Sequence, residues 1–194
     1  MIRNELCSIA KLNPSTFNVH RKNGDLPFQI ETLEAKDGTG RTWGRFSLYH
    51  AALLIAARQL TTQGVSWSEA CRILRQKPVE VGAVGPGTSF RERSGICVAR
   101  VDFVNSLTNA APDFPLPGVF RGPLGDIVAA AAASVDGYNK KWAGQAAPVV
   151  IASIVVVDLS HAYNLAALIA VDLGIDASGV EKPEASKPDQ LGGE

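Results

Sequence analysis

The run 13-NPSTFNVHRKNG-24 carries its own start and stop signals for a short helix. Asn13 suits the N-cap, and Pro14 fits the first helical position, where its missing N–H costs nothing. Asn23 and Gly24 both tolerate the left-handed conformation that ends a helix, so the spacing predicts a helix over 14–22. Upstream, residues 5–10 predict a second short helix, with only Lys11 and Leu12 between the two. Leu6, Ile9 and Phe17 are the expected seam. The later helix then presents Ser15, Thr16, Asn18, His20, Arg21 and Lys22, polar groups able to reach base edges and phosphates. Two short helices joined this closely predict a helix-turn-helix whose second member fits a DNA major groove.

Working outward, Phe28, Ile30 and Leu33 alternate with polar residues, residues 36–41 supply turn chemistry, and apolar character returns over 42–46. This predicts a β-hairpin with a mixed-charge tip, its Lys36, Arg41 and Arg45 being candidate DNA contacts. Ser47 is the expected cap of a helix whose Leu48, Ala51, Ala52, Ile55 and Ala56 share one face, with Gly64 as its stop. Ser66 and Glu69 have capping-box spacing and predict a helix to Gln76, ended by Pro78. Arg58, Arg72 and Arg75 are expected on exposed helix faces. Gly85, Pro86 and Gly87 mark a linker over 78–95.

In this order and spacing, residues 4–75 resemble the winged helix-turn-helix of the MerR-like superfamily, which includes phage excisionases and small subunits of some phage terminases. The carrying residues are Glu5-Leu6 and Ile9-Ala10, the start Asn13-Pro14-Ser15-Thr16-Phe17, the exit Asn23-Gly24-Asp25-Leu26-Pro27, the hairpin closing in Gly44-Arg45-Phe46-Ser47, and Gly64-Val65-Ser66 leading into Glu69-Ala70 and Ile73-Leu74. The resemblance implies double-stranded DNA as partner. It also implies a transcriptional regulator of bacterial or phage type, or alternatively an architectural factor of the excisionase or terminase-small-subunit kind. Asn18, Val19 and His20 stand where family regulators often carry Arg and aromatic residues, and Pro78 interrupts the position of the family's long dimerising helix. A helix-turn-helix generally reads two half-sites, so a homodimer is expected.

At 194 residues and 46% hydrophobic content, the chain can bury one ordinary core or two small ones. Its net charge of zero divides unevenly: residues 1–77 hold eleven Lys and Arg against six Asp and Glu, and the remainder carries the compensating negative excess. A basic module followed by an acidic one suits phosphate attraction at one end. Cys7, Cys71 and Cys97 are odd in number and lack metal-ligand spacing, which argues against a disulfide framework or metal site. The first twelve residues lack a signal-peptide pattern, and the apolar run 148–157 is too short to cross a bilayer. A cytoplasmic protein without membrane contact is expected.

The second half predicts a strand over 96–103, irregular structure over the Pro-rich 110–125, a helix from Leu124 to about Trp142, a strand over 149–159, and a helix over 163–173 capped by Ser160. The expected fold class is α+β, with a winged helix-turn-helix domain over 1–77, an α/β or α+β dimerisation and sensing domain over 96–175, and a disordered tail over 176–194. Asp158 and His161 at a strand end invite a catalytic reading. Yet no nucleophile, metal-ligand set or phosphate-cradling loop accompanies them, so a cap or surface hydrogen bond is expected, with no enzyme activity and no cofactor. The loop around Arg121 is the candidate border of a pocket for a small-molecule or protein effector.

Overall fold

The computed structural model describes residues 1–30, 32–34, 42–44, 46–82 and 95–175. The fold is α+β. In chain order it runs α1 (Arg3–Ile9), α2 (Pro14–Lys22), β1 (Thr32–Glu34), β2 (Thr42–Gly44), α3 (Leu48–Thr62), α4 (Trp67–Arg75), β3 (Val79–Glu80), β4 (Cys97–Asn105), β5 (Val119–Gly122), α5 (Leu124–Lys141), β6 (Val149–Asp158) and α6 (Leu159–Asp172). Strands β1 and β2 pair antiparallel as a separate two-stranded sheet. The other four form one sheet in the order β3-β5-β4-β6, antiparallel except for the β3 and β5 pair.

Both short N-terminal helices end in the same backbone device. Leu12 N–H donates to the Cys7 carbonyl and Lys11 N–H to that of Ser8, with Lys11 at φ +49°. At the end of α2, Asp25 N–H donates to the His20 carbonyl and Gly24 N–H to that of Arg21, with Gly24 at φ +71°. This is the Schellman arrangement, which satisfies carbonyls the helix cannot and turns the chain sharply. Asn23 stays right-handed, so Gly24 alone supplies the left-handed residue.

Helix α3 is the central rod. Leu53, Leu54 and Ala57 are buried together with the expected Leu48, Ala51, Ala52, Ile55 and Ala56, because helices cover more than one side of it. The extra cover is α6, whose Leu159, Ala162, Tyr163, Ala166 and Ala170 join the same core as Leu6, Ile9 and Phe17. A helix apolar around most of its circumference belongs in such a position.

The sheet separates two cores. Val98, Val119 and Val157 face the core of α1, α3 and α6. Cys97, Ala99, Val101, Phe103 and Phe120 face the other way, onto Ile127 and Ala131 of α5. The period-two alternation along β4 produces this division.

Four local expectations change. The Pro-rich stretch contains β5, and the stretch read as a linker begins with β3, which pairs with β5. Helix α6 starts at Leu159, with Asp158 as its cap accepting from His161 N–H at 2.9 Å; Ser160 Oγ instead accepts from Ile96 N–H. Only half of the Ser66 and Glu69 capping box forms: Ser66 Oγ accepts from Glu69 N–H, while the Glu69 carboxylate turns to Arg72 and Arg100. Among the described residues no helix is long and apolar enough to cross a membrane.

Candidate nucleic-acid interface

Helix α2 is tethered on one side and open on the other. Phe17, fully buried, meets Phe46 edge to face with ring centroids 5.9 Å apart. Phe46 lies two residues beyond the end of β2 and also contacts Phe28, which precedes β1. Phe46 N–H donates to the Met1 carbonyl at 3.0 Å, so the base of the hairpin is fastened both to α2 and to the start of α1. Aromatic pairs of this geometry add to simple area burial and fix direction as well as distance.

At its start, Asn13 Oδ1 accepts from Ser15 N–H at 2.9 Å and from Ser15 Oγ at 2.7 Å. The exposed Ser15 hydroxyl therefore spends its proton on the cap and keeps its lone pairs. Thr16, Arg21 and Lys22 are exposed, and no described residue pairs with the Arg21 or Lys22 side chain. Asn18 is partly buried and accepts at Oδ1 from Arg3 Nη1. The His20 ring lies on Trp67, centroids 4.5 Å apart and 25° from parallel. Burial there pushes the His20 pKa below its ordinary value, with Asp25 opposing. Lys36, Arg41 and Arg45 lie outside the described residues.

The exit of α2 is held almost entirely by α4. Trp67 Nε1 donates to the Asp25 carbonyl at 2.8 Å, Ser68 Oγ to Asp25 Oδ1 at 2.9 Å, and Arg75 Nη1 to the Gly24 carbonyl at 2.9 Å. Arg58 Nη1 does the same for α1, donating to the Ala10 carbonyl at 2.7 Å. A cation at a helix C-terminus meets the negative end of the dipole and an orphan carbonyl together. Arg72 binds both Glu69 oxygens at 2.7 Å, and Arg100 of β4 reaches Glu69 Oε1 at 2.9 Å. These contacts hold the Glu69 carboxyl below its ordinary value, the hydrogen bond from Arg72 foremost. Arg58 and Arg75 thus hold the ends of α1 and α2, while Arg72 pairs with Glu69 and Gln76 at α4 itself.

Two residues with outward access were missed by sequence reasoning. Val19, read as one of the apolar positions of the helix pair, is 54% exposed. An apolar group among polar ones on such a face matches a thymine methyl. Arg3 is the other, and nothing local to residues 1–10 signals that it meets Asn18.

Arg121 lines a cavity of about 40 Å³ with Tyr49, Leu53, Ile73 and Leu159, and donates from Nη2 to Glu80 at 2.6 Å. That volume admits about one water, far below the 300–1,000 Å³ or so of ordinary ligand pockets. A second hollow, of about 260 Å³, lies beside Tyr138, Asn139 and Trp142 at the end of α5. Among the described residues no group of three or more His, Cys, Asp or Glu side chains is arranged to hold a metal. No protein-family model matches this chain, and no curated protein matches its sequence.

Proposed function

We propose that this chain is a sequence-specific, non-enzymatic DNA-binding transcriptional regulator of bacterial or phage type, acting in the cytoplasm. In this reading α1 and α2 are a helix-turn-helix, β1 and β2 are the stem of its wing, and the whole N-terminal unit is of the MerR-like kind. The observation that carries it is the contrast within α2: Phe17 has no exposed surface, while Thr16, Arg21 and Lys22 are exposed with no partner among the described residues. Arg21 and Lys22 supply the charge that displaces counterions from phosphates, and Asn18 supplies base choice. Lys36, Arg41 and Arg45 add backbone contacts from the wing. A homodimer reads two half-sites on one face of double-stranded DNA, and the C-terminal half answers to an effector.

Gel-shift titration of the full chain against selected DNA tests this. Arg21→Ala combined with Lys22→Ala is expected to weaken binding to all sequences and to lower the logarithmic salt slope by about 0.9 for each phosphate no longer neutralised. Asn18→Ala is expected to relax choice at one base pair. Titrations unchanged in both variants remove α2 from the interface and end the proposal. Footprinting supports a regulator if it finds one short palindrome beside a promoter. Several tandem sites at an attachment or packaging sequence would replace that role with the architectural one.

A further inference from the structure

Resting on the DNA-binding reading above, we infer that Arg3 is a positioning residue that sets base choice by orienting Asn18. Arg3 opens α1, and Asn18 lies mid-way along α2. The Arg3 Nη1 donates to Asn18 Oδ1 at 3.3 Å, while its Nε and Nη2 donate to Asn4 Oδ1 at 3.4 and 3.3 Å. The guanidinium is therefore held between two side-chain amides, one on each helix.

A guanidinium has donors only. Whichever end of the Asn18 amide faces Arg3 must be the oxygen, because the NH2 end would oppose donor to donor. The contact occupies one of the two acceptor positions on Oδ1. What remains is an acceptor on Oδ1 next to a donor on Nδ2, the adjacent pair that matches the N6–H and N7 of adenine in the major groove. Without Arg3 the amide is free to turn over, and the pattern it offers to a base edge is no longer unique. Lysine also offers donors only, but its shorter, rotating ammonium lacks the planar fork that meets Asn4 and Asn18 together, so it holds the amide less firmly.

The test selects sites from a random double-stranded pool with the full chain, then compares single-base variants of the selected site. Asn18→Ala is expected to lose about 5- to 150-fold of discrimination at one adenine. Arg3→Ala is expected to lose about 3-fold or more at that same base pair and nothing at the others. It should lose nothing further when Asn18 is already Ala. Arg3→Lys is expected to keep the salt slope of the wild type and to lose part of the discrimination that Arg3→Ala loses. The opposite pattern overturns the inference: equal weakening on every sequence, a salt slope lower by about 0.9, and additivity with Asn18→Ala, the marks of a plain phosphate contact. An independent readout is the Asn18 side-chain NH2 resonance of the free protein, expected to move in Arg3→Ala. No movement overturns the inference even with DNA binding intact. Absence of selective DNA binding by the wild type overturns the functional reading, and the part given to Arg3 with it, whatever that resonance does.

Discussion

The most demanding consequence of this fold concerns Ala166, which has no exposed surface in the core that α6 shares with α3. Ala166→Leu adds three carbon atoms where the packing leaves no room for them. Overpacking of this kind costs about 1–3 kcal/mol. On a solvent-facing helix position the same change would be worth only a few tenths, since both residues are good helix formers. With a urea dependence of about 2 kcal/mol per molar, the expected loss lowers the unfolding midpoint by about 0.5–1.5 M. Trp67, distant in sequence on α4, is the reporter to use, with Trp43 and Trp142 replaced by Phe in parent and variant alike. Leu168→Ala on the same helix is the control: Leu168 is 65% exposed, and its removal should stay within about 0.5 kcal/mol. A Trp67 transition that ignores Ala166→Leu, while far-ultraviolet dichroism shows α6 melting separately, would refute the shared core.

Three further outcomes are expected. Cys7, Cys71 and Cys97 are free and buried, and burial raises all three thiol pKa values, that of Cys71 to about 12. A disulfide exchange reagent at pH 8 should therefore label none of them until urea is added, and prompt native labelling of Cys71 would contradict its packing. His20, its pKa lowered by burial against its ordinary 6.5, favours the neutral ring in the folded state. Its stabilising share is complete above 6.5 and is lost as pH falls through the lower folded value, so its NMR titration should have a midpoint below 6.5 that rises in Trp67→Ala. A Cβ at Gly122 would sit 2.5 Å from the Val81 carbonyl oxygen. Gly122→Ala should cost about 1–3 kcal/mol and speed hydrogen exchange at the Val81 amide, which donates to the Arg121 carbonyl; unchanged exchange would argue against this close approach.

The parts of the fold that announce themselves in sequence are those whose cause is local. Asn13, Pro14 and Gly24 delimit α2 within ten residues or so of one another, and the alternation from Cys97 to Phe103 marks β4. Strand β5 escapes because Pro115 and Pro117 stand just before it and only four residues carry it. The start of α6 escapes because Leu159 extends the apolar run of β6 and looks like more strand. The second buried face of α3 escapes for a different reason. Leu53, Leu54 and Ala57 look like surplus apolar residues until α6, about a hundred positions later, is known to cover them. The same holds at the candidate interface: the bounds of α2 and its polar residues are local, whereas the exposure of Val19 and Arg3 reaching Asn18 depend on how two helices dock.

That docking gives α4 a role no motif assigns to it. Trp67, Ser68 and Arg75 fix the exit of α2, while Glu69 on the same helix joins Arg100 of the sheet. The backbone groups they hold, the carbonyls of Gly24 and Asp25, lie where α2 has run out of internal partners. A change that moves β4 relative to α4 therefore bears on the orientation of α2 through the Arg100 and Glu69 pair. Arg100 and Glu69 thus join the sheet to the helix that holds the exit of α2. Glu69→Gln should accordingly speed hydrogen exchange at the Gly24 and Asp25 amides that close α2, and unchanged exchange there would argue against this brace.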